Sequence, residues 1–377
     1  MAAISVALRS DDASTGAGQP ALRDAWDGFV AGCPAGDIVQ TTAWSDAKGD
    51  VGYRTVLAVH REGPRIVGGA AILVRRVAPL LSVGYVPRGP LAVAGTDPAR
   101  IVATVEDEAL KAGVTALIVQ PPAGGEALAE ALVARGYVAG APEVAPSATL
   151  VVDLAAEPEA ILARMAPYRR RNVRQALHRG TKVRFGGRAD LEAFHTLAEA
   201  TSRRQQFAPL SLDELRAQWD ALRARDAIHL VLAEHEDRVL AGIVVTAFGR
   251  TVTFRHTGWN GERPDLQPNV ACHWFAMQWA RDAGFVSYDL GGIERSLAAR
   301  LRGGESRLAE LQRGPAGYKA AYGGALVWAP EAHLKVLNPL LGPLTRPFLP
   351  TLIGRGHLRR VAAILRRGSA GGPAQSP

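Results

Sequence analysis

A duplicated mixed α/β domain is the fold class this sequence predicts, and three observations predict it. Arg65–Val74 lines up with Arg238–Ala247, which sets Gly69 and Gly242 173 positions apart. Lys111–Ile118 lines up with Asp282–Asp289, which sets Gly113 and Gly284 171 positions apart. Two separate matches at nearly one offset mean a repeated unit of ~170 residues, far longer than a solenoid repeat. The third observation is that both copies read strand, strand, helix, strand, the order expected of helices packed on a sheet.

The elements follow from local pattern. Ile66–Val74 and Val239–Phe248 are β-rich apolar runs, each followed by a second strand, Leu81–Tyr85 and Thr251–Thr257. A helix comes next in each copy. The first starts after Asp97-Pro98 and sets Ile101, Val102, Val105, Ala109 and Leu110 on one stripe; the second starts near Pro268, with Val270, Trp274, Met277 and Trp279 apolar. Proline fits a first helical position, and Gly113 and Gly284 stop the helices. The strands Thr115–Val119 and Val286–Leu290 complete the pattern. Pro142 and Pro146 mark the boundary between copies near Ala141–Ser147, and Thr149–Leu154 opens the second as a strand.

Length and composition bound the rest. The 377 residues are 47% hydrophobic, enough for two folded domains. No apolar run reaches the ~20 residues of a spanning helix, and Met1–Thr15 lacks a signal-peptide core, so a cytoplasmic protein is expected. Two distant cysteines, Cys33 and Cys272, give neither a disulfide framework nor a zinc site. A net charge of +8 points to anionic partners such as phosphates, RNA or an anionic membrane face, or to a simple solubility margin.

The chemistry is narrowed by what is missing. The sequence has no GxxxxGK[ST] loop, no GxSxG elbow, no HExxH and no paired-cysteine spacing. Arg65–Ala70 formally matches an acetyl-CoA-binding R-x-x-G-x-A pattern, but it continues as a strand where a helix N-terminus is needed to hold pyrophosphate. Two runs remain: Tyr288–Ile293, a strand ending on Gly291-Gly292, and Gly317–Gly324, which sets Lys319 among aromatics and glycines. Glycine lets backbone approach a ligand, and a lysine there can meet developing negative charge.

The strongest charge feature is Arg164–Arg188, nine cations without an acid, with Met165–His178 read as a helix ending at Gly180. It is either a solvated basic face or a surface for polyphosphate or RNA. Arg203 and Phe207 share a helix face; they are either a phosphate fork with an aromatic cover or a surface arginine beside a core ring. Lys48 follows Gln40–Trp44 and is either exposed or aimed into a cleft, and His256 is either structural or a contact residue.

The paired runs resemble the Fem-type aminoacyltransferases, which build the interpeptide bridges of peptidoglycan. Their pattern Tyr-Asp-Phe-Gly-Gly, a spacer, then Gly-x-Tyr-Lys-x-x-x-Gly-Gly, stands here as Tyr288–Gly292, with Leu290 for Phe, and Gly317–Gly324. The resemblance runs from about Gln40 to Pro330 and includes Gln40–Trp44, Arg171–Arg174 and the Arg203–Phe207 pair. It implies two acetyltransferase-like (GNAT-like) domains in tandem, residues 1–145 and 146–335, then a basic Pro/Leu/Arg-rich tail, 336–377, whose last ten residues are expected to be disordered.

It also implies a reaction. An amine on a UDP- or lipid-linked peptidoglycan precursor attacks the ester of an aminoacyl-tRNA, and an amide forms. No further cofactor is needed, because the tRNA ester is the co-substrate and is already activated. Lys319 would stabilise the oxyanion. Asp289 would orient the amine, or else cap its turn. Lys48 and Arg203 would hold the diphosphate with Phe207 beside them, and His256 and Tyr318 are counted with the substrate contacts. Arg169, Arg170, Arg171 and Arg174 would meet tRNA phosphates. A monomer is expected, with peripheral contact to the inner face of the membrane through His333–Arg367. The spacer Glu294–Gly314, with five arginines, is expected to be a mobile loop over the site. Two other readings stay open: the same chemistry, or acyl-CoA chemistry, on a small-molecule amine, and a non-catalytic basic RNA- or membrane-associated protein.

Overall fold

The computed structural model describes residues 18–79, 81–205, 210–303 and 314–338. They divide into two units with separate sheets and cores. The second unit is Ala148–Trp328, and the first is built from the chain on either side of it.

The first unit begins with α1 (Gly18–Gly32) and α2 (Thr42–Gly49). Thr41 caps α2 by accepting the Trp44 N–H. β1 (Arg54–Glu62), β2 (Arg65–Ala78) and β3 (Leu81–Val86) form an antiparallel meander, with β4 (Leu91–Ala92) alongside β2. Helix α3 (Pro98–Lys111) starts at Asp97, whose carboxylate accepts the Ala99 N–H. It buries Ile101, Val102, Val105 and Ala109 against the sheet. Leu110 departs from the predicted stripe and is 44% exposed, because it lies one residue, about 100°, around the helix from Ala109. β5 (Ala116–Val119) pairs parallel with β3, and α4 (Glu126–Ala134) and β6 (Val138–Ala139) follow.

The second unit opens with β7 (Ala148–Asp153), then α5 (Pro158–Arg164), α6 (Pro167–His178), β8 (Lys182–Gly186), α7 (Leu191–Gln205) and α8 (Leu212–Arg223). β9 (Ile228–His235), β10 (Arg238–Phe248) and β11 (Thr251–Trp259) form its meander. α9 (Pro268–Asp282) crosses to β12 (Ser287–Gly292), and α10 (Arg295–Arg302), α11 (Pro315–Ala320) and β13 (Ala325–Trp328) complete it. The strand order is β13-β7-β12-β11-β10-β9-β8, antiparallel except for β11 and β12.

One segment corrects the predicted limits. Residues 329–335, placed in the second domain, belong to the first unit, where His333–Val336 form β14, inserted into the first sheet between β5 and β6. Leu334 is buried there, and Lys335 reaches Glu106 at 2.8 Å, which Arg135 holds at 2.6 Å. The tail therefore starts as part of the first sheet. Residues 339–377, including the segment expected to be disordered, lie outside the described residues.

The repeated glycine has a packing cause. A Cβ on Gly69 would lie 2.1 Å from the Ala58 carbonyl oxygen and 3.1 Å from the Trp26 ring of α1. A Cβ on Gly242 would lie 2.9 Å from the Phe194 ring of α7. Each copy thus drops its side chain where an aromatic from a preceding helix crosses the sheet, and that requirement is what the repeat preserves.

Candidate active site

β11 and β12 pair only from Thr251–Thr253 against Ser287–Asp289. Past that point the ladder between them ends, and the rest of β11 keeps its pairing with β10. β11 also carries a bulge, at Arg255, where it pairs with β10. Bulges re-aim strands and recur beside functional sites.

The Gly291-Gly292 turn occupies the open end of β12. Gly291 has φ +74°, and a Cβ there would lie 3.0 Å from the Phe254 carbonyl oxygen and 3.5 Å from Lys319 Nζ. Only glycine meets both conditions without strain. Asp289, 4% exposed, closes the turn: its carboxylate accepts the Gly291 N–H at 2.7 Å and a short hydrogen bond from the Thr149 hydroxyl. Thr149 comes from β7, opposite Gly292, and sequence reading did not single it out. A threonine inside an apolar strand carries no signal of its partner 140 residues away. Of the two roles expected for Asp289, this geometry is that of the turn-capping carboxylate.

Lys319 enters from α11. Its Nζ donates to the Gly292 carbonyl at 2.6 Å and lies 5.7 Å from the centre of the Phe254 ring. The residue keeps some open surface, but its ammonium is enclosed. That burial pulls its pKa down to about 8, with the Asp289 charge opposing the shift. A desolvated ammonium beside the end of that ladder can donate to an oxyanion more strongly than one in water.

Behind it lies a closed aromatic layer. Tyr318 and Tyr322 of the lysine loop hydrogen-bond through their hydroxyls at 3.0 Å. His273 of α9 packs on Phe254, Tyr318 and Tyr322, and its Nδ1 meets the Tyr288 hydroxyl at 2.9 Å. Burial, aided by the Arg169 and Lys319 charges, pushes the His273 pKa down to about 3, so the ring is neutral. Tyr318 differs from its expected substrate contact, because its ring and hydroxyl are occupied by Arg169 and Tyr322.

The basic run separates into parts. Arg164, Arg179, Arg184 and Arg188 find carboxylates elsewhere in the second unit, on Asp153, Asp265, Asp190 with Glu234, and Asp220. Arg169, expected on a phosphate, is instead 3% exposed under the tyrosines. Arg170 donates to the Ala163 carbonyl, while Arg171 and Arg174 are exposed and make no ion pair among the described residues. A phosphate surface on α6 thus comes down to Arg170, Arg171 and Arg174.

The other expected residues are dispersed. Arg203 is exposed at the end of α7, and Phe207 lies outside the described residues. His256 is half-buried on β11, opposite Val244. Lys48 lies in the first unit, buried in α2 with Nζ 5.1 Å from the centre of the Trp44 ring. Gln40, at the head of the Gln40–Trp44 motif, is wholly buried and bridges Pro87 and Ala71. Of the spacer, Arg295–Arg302 is helical, and residues 304–313, the centre of the expected mobile loop, lie outside the described residues.

Residues 168–319 match the Acetyltransferase (GNAT) domain family. The chain is similar to lipid II:glycine glycyltransferases: 26% identical over 57% of its length to that of Staphylococcus saprophyticus, and 28% identical over 55% to that of Staphylococcus aureus strain COL. It spans about half the length of these curated relatives, 55% and 52%. The crystal structure of FemX superposes with a TM-score of 0.72 at 18% identity, over 86% of this chain and 98% of that one. A conserved protein of unknown function from Bacteroides thetaiotaomicron superposes at 0.54 and 11% identity, over 83% and 96%. The fold is therefore the tandem acetyltransferase-like one, mixed α/β in both units.

Proposed function

We propose that this chain, a relative of the lipid II:glycine glycyltransferases, transfers an amino acid from aminoacyl-tRNA to an amine of a peptidoglycan precursor. The observation that carries the reading is Lys319, a desolvated ammonium held on the Gly291-Gly292 turn, where the β11–β12 ladder ends.

The precursor amine attacks the ester carbonyl, and the new C–N bond makes a tetrahedral oxyanion. Lys319 donates to that oxygen. Collapse breaks the bond to the ribose oxygen, which leaves with the proton lost by the amine. The ester supplies the driving force, so the aminoacyl-tRNA is the co-substrate and no further cofactor is assigned. Asp289 and Thr149 hold the turn that Lys319 addresses, and in this proposal their part is support. Arg170, Arg171 and Arg174 meet tRNA phosphates. Arg203, Phe207 and His256 are assigned to the precursor, Arg203 to its diphosphate; Lys48, buried in α2 of the first unit, is not. We place the protein in the cytoplasm as a monomer, at the membrane face where lipid-linked precursor sits; no helix among the described residues is long and apolar enough to cross a membrane.

The GNAT match favours one other reading, an acyl-CoA-dependent acylation of a small amine. Against it stands the approach to α9, where that fold commonly binds pyrophosphate on free N–H groups. Here Pro268 lacks the N–H, and Asp265 brings a carboxylate bonded to Arg179 and Arg263.

The test incubates the protein with mixed charged tRNAs and lipid-linked precursor and weighs the products. A gain of one or more amino-acid residues on the precursor supports the proposal and names the amino acid. Thiol release from acyl-CoA without RNA, and no such gain, would replace it with the second reading.

A further inference from the structure

Arg169 is the most enclosed cation among the described residues of the second unit, at 3% exposure. Among the described residues no carboxylate forms an ion pair with it. Its guanidinium carbon lies 4.2 Å from the centre of the Tyr318 ring and 4.5 Å from that of Tyr322, and one nitrogen donates to the Tyr318 carbonyl at 3.2 Å. Its Nε is buried without a hydrogen-bond partner. A buried cation without a counter-ion is costly. Stacking on two electron-rich ring faces offsets part of that cost, and only the planar guanidinium stacks and donates at once.

Both rings and the accepting carbonyl belong to the segment that carries Lys319. α11 spans only Pro315–Ala320, too short to stand by itself. Lys319 follows Tyr318 directly, and its Nζ contact with Gly292 depends on where that turn is set. α6 supplies Arg169 as the pin: Val173 and Ala176, on the same face, are buried against the core.

We propose that Arg169 is a positioning residue, which clamps the lysine turn through Tyr318 and Tyr322 and so fixes Lys319 Nζ at the Gly292 carbonyl. The catalytic half of this inference rests on the function proposed above; the positioning half does not.

The test reads the two halves separately. Competitive acetylation with acetic anhydride across pH, read by mass spectrometry on the Lys319 peptide, reports the midpoint at which the amine becomes reactive. In the wild type that midpoint is expected near 8. In Arg169→Met it should rise toward the ordinary lysine value of ~10.4 as the ammonium regains water. Turnover should show kcat reduced about tenfold or more with KM little changed, the pattern of a lost transition-state contact. Arg169→Lys keeps the cation without the stacking plane, and should move both readouts in the same direction by less. It also serves if the methionine variant does not fold. An unchanged midpoint in a folded variant overturns the inference. If the midpoint rises in Arg169→Met while Lys319→Met leaves turnover intact, the clamp stands and the proposed reaction falls.

Discussion

The two units carry the same parallel strand pair and end it differently. In the first, β3 and β5 stay paired to Val86 and Val119, and the ladder runs on through Gln120 N–H to the Val86 carbonyl and Gly89 N–H to the Gln120 carbonyl. Gln120, at the position of Gly291 under the 171-residue offset, then stitches the end shut. Its side-chain oxygen accepts from the Tyr85 hydroxyl at 2.8 Å, and its amide donates to the Ala145 carbonyl at 2.6 Å. In the second unit the ladder stops at Thr253 and Asp289, glycine replaces glutamine, and Lys319 stands at the opening. One scaffold thus gives a closed strand end or a candidate site, according to whether a side chain spans the gap.

The largest expected effect comes from emptying the opening. Lys319→Met should lower kcat by ~10²–10³, the usual loss of one oxyanion donor, with binding of charged tRNA retained in a filter assay. Unchanged turnover would remove Lys319 from the chemistry.

Exchanging the stitch comes next. Gly291→Gln puts a side chain at φ +74° against the Phe254 carbonyl. It should cost ~1–3 kcal/mol of stability by denaturant titration and abolish transfer. The reciprocal Gln120→Gly removes the acceptor of the Tyr85 O–H and the donor to the Ala145 carbonyl, while the Ala145 N–H keeps its bond to the Tyr85 oxygen; it should cost ~1–3 kcal/mol, without creating transfer in the first unit, where no lysine loop exists. A Gly291→Gln protein with wild-type activity would show that the gap is not the site.

Acidity separates the two possible jobs of Lys319. An oxyanion donor must be protonated, so the ratio of wild-type to Lys319→Met activity, in which titration of the precursor amine cancels, should hold below its pKa of about 8 and fall up to tenfold per pH unit above it. A ratio that rises through the same window would make Lys319 a base.

The smallest effect concerns the layer behind it. His273 titrates near 3 in the folded chain, below its ordinary value of ~6.5. Between those values the unfolded chain takes up the proton and the folded one does not. Stability should therefore be full above ~6.5 and fall as pH drops, by at most ~1.4 kcal/mol per unit. A His273→Gln protein should lose that part of the slope in urea titrations at graded pH.

Much of the fold was legible because its demands are local. Gly69 and Gly242 answer a ring crossing the sheet, Asp97-Pro98 and Pro268 open helices, and Gly113 and Gly284 close them with positive φ. The Gly291-Gly292 turn and Lys319 were legible for the same reason: a strand must end and a loop must turn. What stayed hidden depends on distant partners. Arg169 sits in a run that reads as solvated, and only tyrosines some 150 residues later make its place a core. Thr149 gains its meaning from Asp289, and β14 from strands more than 190 residues earlier. No spacing rule reaches across such distances.

The return of β14 orders the protein's birth. The second unit is one unbroken stretch, Ala148–Trp328, and can close its sheet once that stretch has left the ribosome. The first unit is translated earlier but cannot be finished earlier. Until His333–Val336 emerges, β5 and β6 present unpaired edges, which invite mispairing. The half of the molecule made first is therefore completed last, and a chain that stops after Trp328 would lack the strand that completes its first sheet.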